Sequence, residues 1–128
     1  MIRIISIGSN NLTNRILVKM APDLRNLSED INIMYNRSDH TWIKEIDPND
    51  LVILIEGCKE GYLPGTVTMH KVCQCEKYES VNTYAIHIEV DEVNNLQVEI
   101  HNIAVDVFQI IKKIIENHEL SNNYEKTH

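Results

Sequence analysis

Asp50-Leu51-Val52-Ile53-Leu54-Ile55-Glu56-Gly57, followed shortly by Pro64-Gly65-Thr66, is the stretch on which the reading of this chain turns. A run of apolar, mostly β-branched residues stops abruptly on one carboxylate and a glycine. An unbroken apolar run of this length is the signature of a parallel strand buried on both faces. In open α/β sheets, ligands sit just beyond the carboxyl ends of such strands. Glu56 is therefore the first candidate for chemistry. The plainer alternative is that it caps the next loop.

Outward from this strand, the same pattern repeats on both sides. Residues 2–7 form an apolar segment that ends at Gly8-Ser9-Asn10-Asn11, a first strand running into a turn. Leu12, Ile16, Leu17 and Met20 then recur at helical spacing, with Asn10 or Asn11 as a cap and Pro22 near the end of the helix or at a new turn. Residues 31–35 read as a second short strand. Trp42, Ile43 and Ile46 fit one face of a short helix capped by Thr41, and Asp47-Pro48-Asn49-Asp50 is a turn. Beyond the central strand, 66–72 suits a strand, 73–80 is ambiguous, and 84–93 reads equally as strand or helix. Residues 96–103 alternate like a strand; if 84–93 is also a strand, Asn94-Asn95 turns it into this one as a hairpin. Val107, Phe108, Ile111, Ile114 and Ile115 make the apolar face of a last helix.

This β-α-β order defines an α/β fold: a twisted, mostly parallel five-stranded sheet with helices on both faces. The 128 residues fit one domain, taken as 1–120, with a polar, frayed tail at 121–128. With one Trp, one Phe and five Tyr, the core must be built largely from Ile, Val and Leu, which suits a sheet covered by helices. The net charge of −7 comes without any dense Lys/Arg block, so neither nucleic acid nor an anionic membrane is an expected partner. Three cysteines, Cys58, Cys73 and Cys75, do not suggest a disulfide framework. The N-terminal apolar run is too short for a signal sequence or a membrane span, and a cytoplasmic protein is expected.

Laid out in this way, the chain resembles the hydrogenase maturation endopeptidases, which cut a C-terminal extension from the large subunit of nickel-iron hydrogenases. Three features carry the resemblance. The first strand, Gly8 and Asn10, followed by Leu12-Thr13-Asn14-Arg15, stand at the family's glycine-asparagine turn. The strand ending at Glu56 stands where the family has a strand ending in aspartate. Pro64-Gly65-Thr66 follows at nearly the family's spacing. The resemblance implies a hydrogenase maturation protease-like fold, of the broader phosphorylase/hydrolase-like class. It also implies a cleft around Asn10, Arg15, Tyr84, Pro64, Gly65 and Thr66. No tightly bound cofactor is implied, since the metal is nickel supplied by the substrate. The implied partner is a hydrogenase large subunit, or another protein tail.

The family grips that metal with a glutamate after the first turn, an aspartate at the end of the central strand, and a histidine. Carried over, these positions fall on Arg15, on Glu56, and on Tyr84 or, with a slip of three residues, His87. The expected metal residues are therefore Glu56 and His87. An arginine offers only donors and cannot hold a cation, so the site is degenerate by comparison with the family. Arg15 either pairs with Glu56 across the rim of the sheet or lies on the exposed face of its helix.

His70-x-x-Cys73-x-Cys75, with Cys58 one strand away, forms a second constellation. It reads either as soft ligands for zinc or as reduced, partly buried thiols. His40, His87, His101, His118 and His128 carry no further motif. No nucleophile elbow or phosphate-binding glycine loop is present. Two readings of function remain: a peptidase processing a hydrogenase large subunit, and a non-catalytic accessory module that binds a protein tail on the same fold.

Overall fold

A computed structural model of the chain describes residues 1–8, 11–37, 44–72, 82–90 and 99–127. Its elements are β1 (Ile2–Ile7), α1 (Asn11–Leu27), β2 (Ile31–Arg37), β3 (Leu51–Cys58), β4 (Val67–Lys71), β5 (Asn82–Glu89) and α2 (Ile100–Thr127). The five strands form one sheet in the order β2-β1-β3-β5-β4. Three of the four pairings are parallel, and β4 joins β5 antiparallel. This is the mostly parallel α/β sheet expected from the sequence. The chain leaves β1 outward to β2 and then returns past β1 to β3. The strand order thus reverses between β1 and β3, the point at which such sheets open a crevice at their carboxyl ends.

β3 explains itself. Leu51, Val52, Ile53 and Ile55 are fully buried and Leu54 is 2% exposed, so both sides of the strand are covered. Leu51, Ile53 and Ile55 join Ile2, Ile4, Ile86 and Ile88 beneath the helices, while Val52 and Leu54 join Ile5 in a smaller cluster on the other face. α1 contributes Ile16, Leu17, Met20 and Leu24 to the larger cluster, and α2 contributes Ile103, Val107, Ile111 and Ile115.

Helices were expected on both faces, but α1 and α2 share one face and also pack on each other. Their two apolar stripes merge over Ile4, Ile53 and Ile86. On the opposite face, Ile46 packs after a single 3-10 turn at Lys44 and Glu45, and the rest of the short helix expected there, 41–43, lies outside the described residues.

Three other expectations change, and the alternative left open at 84–93 is decided for 84–89. Pro22 sits inside α1 rather than at its end. Its missing N–H would have bonded the carbonyl of Val18, which lies on the outer face (56% exposed), so water can take that carbonyl. Residues 84–89 are strand, because β5 pairs with β3 without interruption from Leu51↔Asn82 to Cys58↔Glu89. Residues 100–103, expected to end a strand, open α2 instead. Ile100, Ile103, Ala104 and Val107 are all buried along one face, and this helical stripe overrides the short alternation that precedes it. His101 is accordingly exposed on a helix. α2 also continues through the polar residues read as a tail, to Thr127. The Asn94-Asn95 turn, Cys73 and Cys75 lie outside the described residues.

Asp50, 4% exposed, ties the opposite end of the sheet together. Its carboxylate accepts from Arg3 Nε at 3.3 Å and from the Asp47 backbone N–H at 3.0 Å, and pairs with the amino group of Met1 at 3.1 Å.

Candidate functional site

At the carboxyl end of the sheet, Ile7 is the last residue of β1 in register with β3, and it lies opposite Glu56. β3 runs on for two more residues, with β5 as its partner. Glu56 lies opposite His87, and His87 lies opposite Thr68 on β4. Strand alternation therefore turns the side chains of Glu56, His87 and Thr68 to the face away from α1 and α2. His87 Nε2 donates to Glu56 Oε2 at 3.2 Å. Its other ring nitrogen, Nδ1, lies 3.3 Å from Glu60 Oε1, and the His70 ring stands 5.0 Å away, centroid to centroid.

The loop after β3 folds back over this cluster because β5 holds it at both ends. The Glu89 carboxylate accepts the backbone N–H of Glu60 at 3.0 Å, that of Gly61 at 2.9 Å, and the Cys58 thiol at 3.3 Å. The Glu89 carbonyl accepts the Gly65 N–H at 2.8 Å, and the Glu89 N–H donates to the Thr66 carbonyl at 2.9 Å. Between these anchors, Thr66 Oγ1 donates to the Leu63 carbonyl at 2.6 Å. Gly65 adopts φ +89°, and a Cβ there would stand 3.2 Å from Glu99 and 3.5 Å from Ile103. The Pro64-Gly65-Thr66 turn thus seats the loop against the start of α2.

The electrostatics follow from this packing. The Glu60 backbone N–H, followed by the Cys58 thiol and the Gly61 and Tyr62 N–H groups, holds the Glu89 carboxyl below its usual 4.5 despite burial. Burial, with Glu89 and Glu60 beside it, pushes the Cys58 thiol up to about 11. For Asp50, burial opposes ionisation, but the Asp47 N–H, the Met1 amino group and Arg3 outweigh it and lower the carboxyl from 3.8. Glu89 and Asp50 are both depressed in the folded state. Their stabilisation is complete above the unfolded values and is lost as pH falls through the folded ones. The melting temperature is expected to hold from neutrality down to about pH 5 and then to fall. Glu89→Gln is expected to flatten part of that fall in a pH series of thermal melts.

Of the residues singled out in the sequence, Glu56 and His87 come together, and Pro64, Gly65 and Thr66 frame the same loop. Tyr84 does not join them. It lies three residues before His87 on β5, packs on the helix-covered face, and has Lys71 Nζ 5.9 Å from its ring centre. Arg15 is exposed on α1 and makes no ion pair with Glu56 among the described residues; the acid's partner is His87. Asn14 is half-buried, with no hydrogen-bond partner for Oδ1 among the described residues. Asn10 lies outside the described residues. Cys58 joins the Glu56–His87 cluster, and His70 stands beside it.

Glu60, Glu89 and Thr68 were not anticipated. The signal for Glu89 was present: reading 84–93 as a strand puts His87 and Glu89 on one face. A carboxylate and an imidazole at the carboxyl end of a parallel sheet, with a thiol and a second carboxylate in reach, are the donor types that receive a divalent metal.

The architecture is that of an α/β protein whose candidate site lies at the carboxyl ends of β3 and β5, beside the switch point of a five-stranded sheet. Among solved structures, it is similar to a [NiFe] hydrogenase maturation protease, HycI, from Thermococcus kodakarensis KOD1, with a TM-score of 0.56 over 90% of this chain and 92% of that one, at 15% sequence identity. That likeness establishes a shared fold. No protein-family model and no curated protein matches the sequence. No described helix is long and apolar enough to cross a membrane.

Proposed function

We propose that this chain is a divergent maturation endopeptidase. On this reading it acts in the cytoplasm on the large subunit of a nickel-iron hydrogenase. It receives the nickel already carried by that subunit at the Glu56–His87 pair and removes the C-terminal extension. The observation that supports the reading most is the 3.2 Å contact between Glu56 and His87 across the carboxyl ends of β3 and β5. These are the two positions that the family resemblance gives to metal recognition, and the fold is shared with HycI over nine-tenths of both chains. The metal is cargo of the substrate and would anchor the tail. Glu56 fixes the imidazole, and the loop framed by Pro64, Gly65 and Thr66 forms the neighbouring wall.

The test is incubation of the full chain with nickel-loaded large-subunit precursor, followed by the mass of the large subunit. Wild type is expected to remove the extension, and Glu56→Ala to leave it in place while keeping its far-UV spectrum. Processing that continues unchanged in Glu56→Ala would remove this site from the reaction. One observation favours the alternative of a tail-binding accessory module: Arg15, at the position where the resemblance implies a metal-binding glutamate, is exposed on α1. That alternative predicts that precursor is retained by the immobilised chain with its mass unaltered.

A further inference from the structure

His87 has a carboxylate beside each of its ring nitrogens, Glu56 at Nε2 and Glu60 at Nδ1. A carboxylate can only accept, so the contact with Glu56 places the ring proton on Nε2. In the neutral ring, Nδ1 then presents a lone pair. It is buried, it has no hydrogen-bond partner among the described residues, and it faces a second acceptor, Glu60 Oε1, at 3.3 Å. Two acceptors at this distance with no proton between them repel one another. Beside His87 on β4, Thr68 Oγ1 is likewise buried without a partner among the described residues. The Cys58 thiol completes the group: one ligand atom each from Cys58, Glu60 and His87 lies within 4.8 Å of the others.

A second ring proton would turn the contact into an ion pair with Glu60, and a metal cation would satisfy both groups and the Cys58 sulfur beside them as well. Two ligand arms of about 2.0–2.1 Å meeting at the tetrahedral angle put their donor atoms roughly 3.3 Å apart, which matches the Nδ1–Oε1 separation. A metal-bound histidine characteristically gives its other N–H to a carboxylate that orients the ring, and Glu56 does that here. We propose that Cys58 Sγ, Glu60 and His87 Nδ1 form a site for one borderline-soft divalent cation of the zinc or nickel class, with Glu56 as the positioning residue for His87. On binding, the metal–sulfur bond replaces the S–H bond of Cys58, and the proton is released to solvent. Relative to the resemblance-derived set, the cation moves to the other nitrogen of the ring, and the loop after β3 supplies the ligands that the Arg15 position lacks. The site uses the cleft of the proposed function but does not require that the chain cut anything.

Cobalt(II) titrated into the full-length chain under reducing conditions tests this directly. Wild type is expected to take up a single equivalent, with a near-ultraviolet sulfur-to-cobalt charge-transfer band and visible d–d bands. Cys58→Ser is expected to lose the charge-transfer band. Glu60→Gln and His87→Gln should weaken binding by more than the roughly 10–100-fold that follows loss of a supporting residue. Glu56→Gln should weaken it within that range while keeping the band. A Cys73→Ser/Cys75→Ser double variant should keep the spectrum of wild type. The proposal is overturned if wild type shows no charge-transfer band, a result that needs no variant to fold. It is equally overturned if the band survives Cys58→Ser. Failure of the precursor-processing assay leaves this measurement untouched, so the two ideas fail separately.

Discussion

Glu89→Ala is expected to lower the melting temperature by roughly 10 °C and to loosen the loop after β3 without disturbing the sheet. The Glu89 side chain, 4% exposed, accepts two loop N–H groups and the Cys58 thiol. Hydrogen bonds to a charged acceptor are the stronger kind, and alanine removes all three at once. Water can reach the loop amides in part, which keeps the expected loss well short of unfolding at room temperature. Glu89→Gln, which retains an acceptor oxygen, should lose about half as much. Thermal melts give the size of the effect, and amide hydrogen exchange at Glu60 and Gly61 gives its location. An exchange map with faster exchange throughout β3 and β5 would mean that Glu89 supports the sheet rather than the loop.

Gly65→Ala is expected to cost about 2–3 kcal/mol, and Gly61→Ala only about 1 kcal/mol. Both glycines have positive φ, +89° and +91°, so both substitutions carry backbone strain. They differ in surroundings. A Cβ at Gly61 meets nothing within 4 Å, whereas one at Gly65 meets Glu99 at 3.2 Å and Ile103 at 3.5 Å. Glu99 can swing aside. Ile103 is 3% exposed in the helix-side core and cannot. Denaturant unfolding of the two variants side by side measures the difference, and equal losses would show that the turn does not bear on α2.

The fold was legible where a single pattern had no rival. The run from Leu51 to Ile55 admits one interpretation, and its end at Glu56 pointed directly to the candidate site. The segment 84–93 did not, because Ile86, Ile88 and Val90 satisfy a two-residue period while remaining compatible with a short helix. Only the register against β3 settles it, and a register is a non-local fact. The same cause hid the role of His87: its value lies in standing opposite Glu56, thirty-one positions earlier in the chain. The error at 100–103 came from giving a local alternation precedence over a longer stripe that shares Ile100 and Ile103 with it. Glu60 could not have been found by periodicity at all, since loop side chains are aimed by the hydrogen bonds of their backbone, here those to Glu89. Pro22 misled because its penalty falls on a solvent-facing turn, where a helix tolerates it.

One residue of β5 clasps both ends of the excursion between β3 and β4: its side chain holds residues 60 and 61, and its main chain holds 65 and 66. Such a loop has a stiff base and a bare crown. Tyr62 and Leu63, 53% and 81% exposed, ride at that crown as two apolar knuckles on a rigid mount. Exchanging them would alter what the protein can touch there while leaving the anchorage beneath unchanged. Position 89 has less latitude, because its side chain alone holds the first end, while the second rests on its main chain.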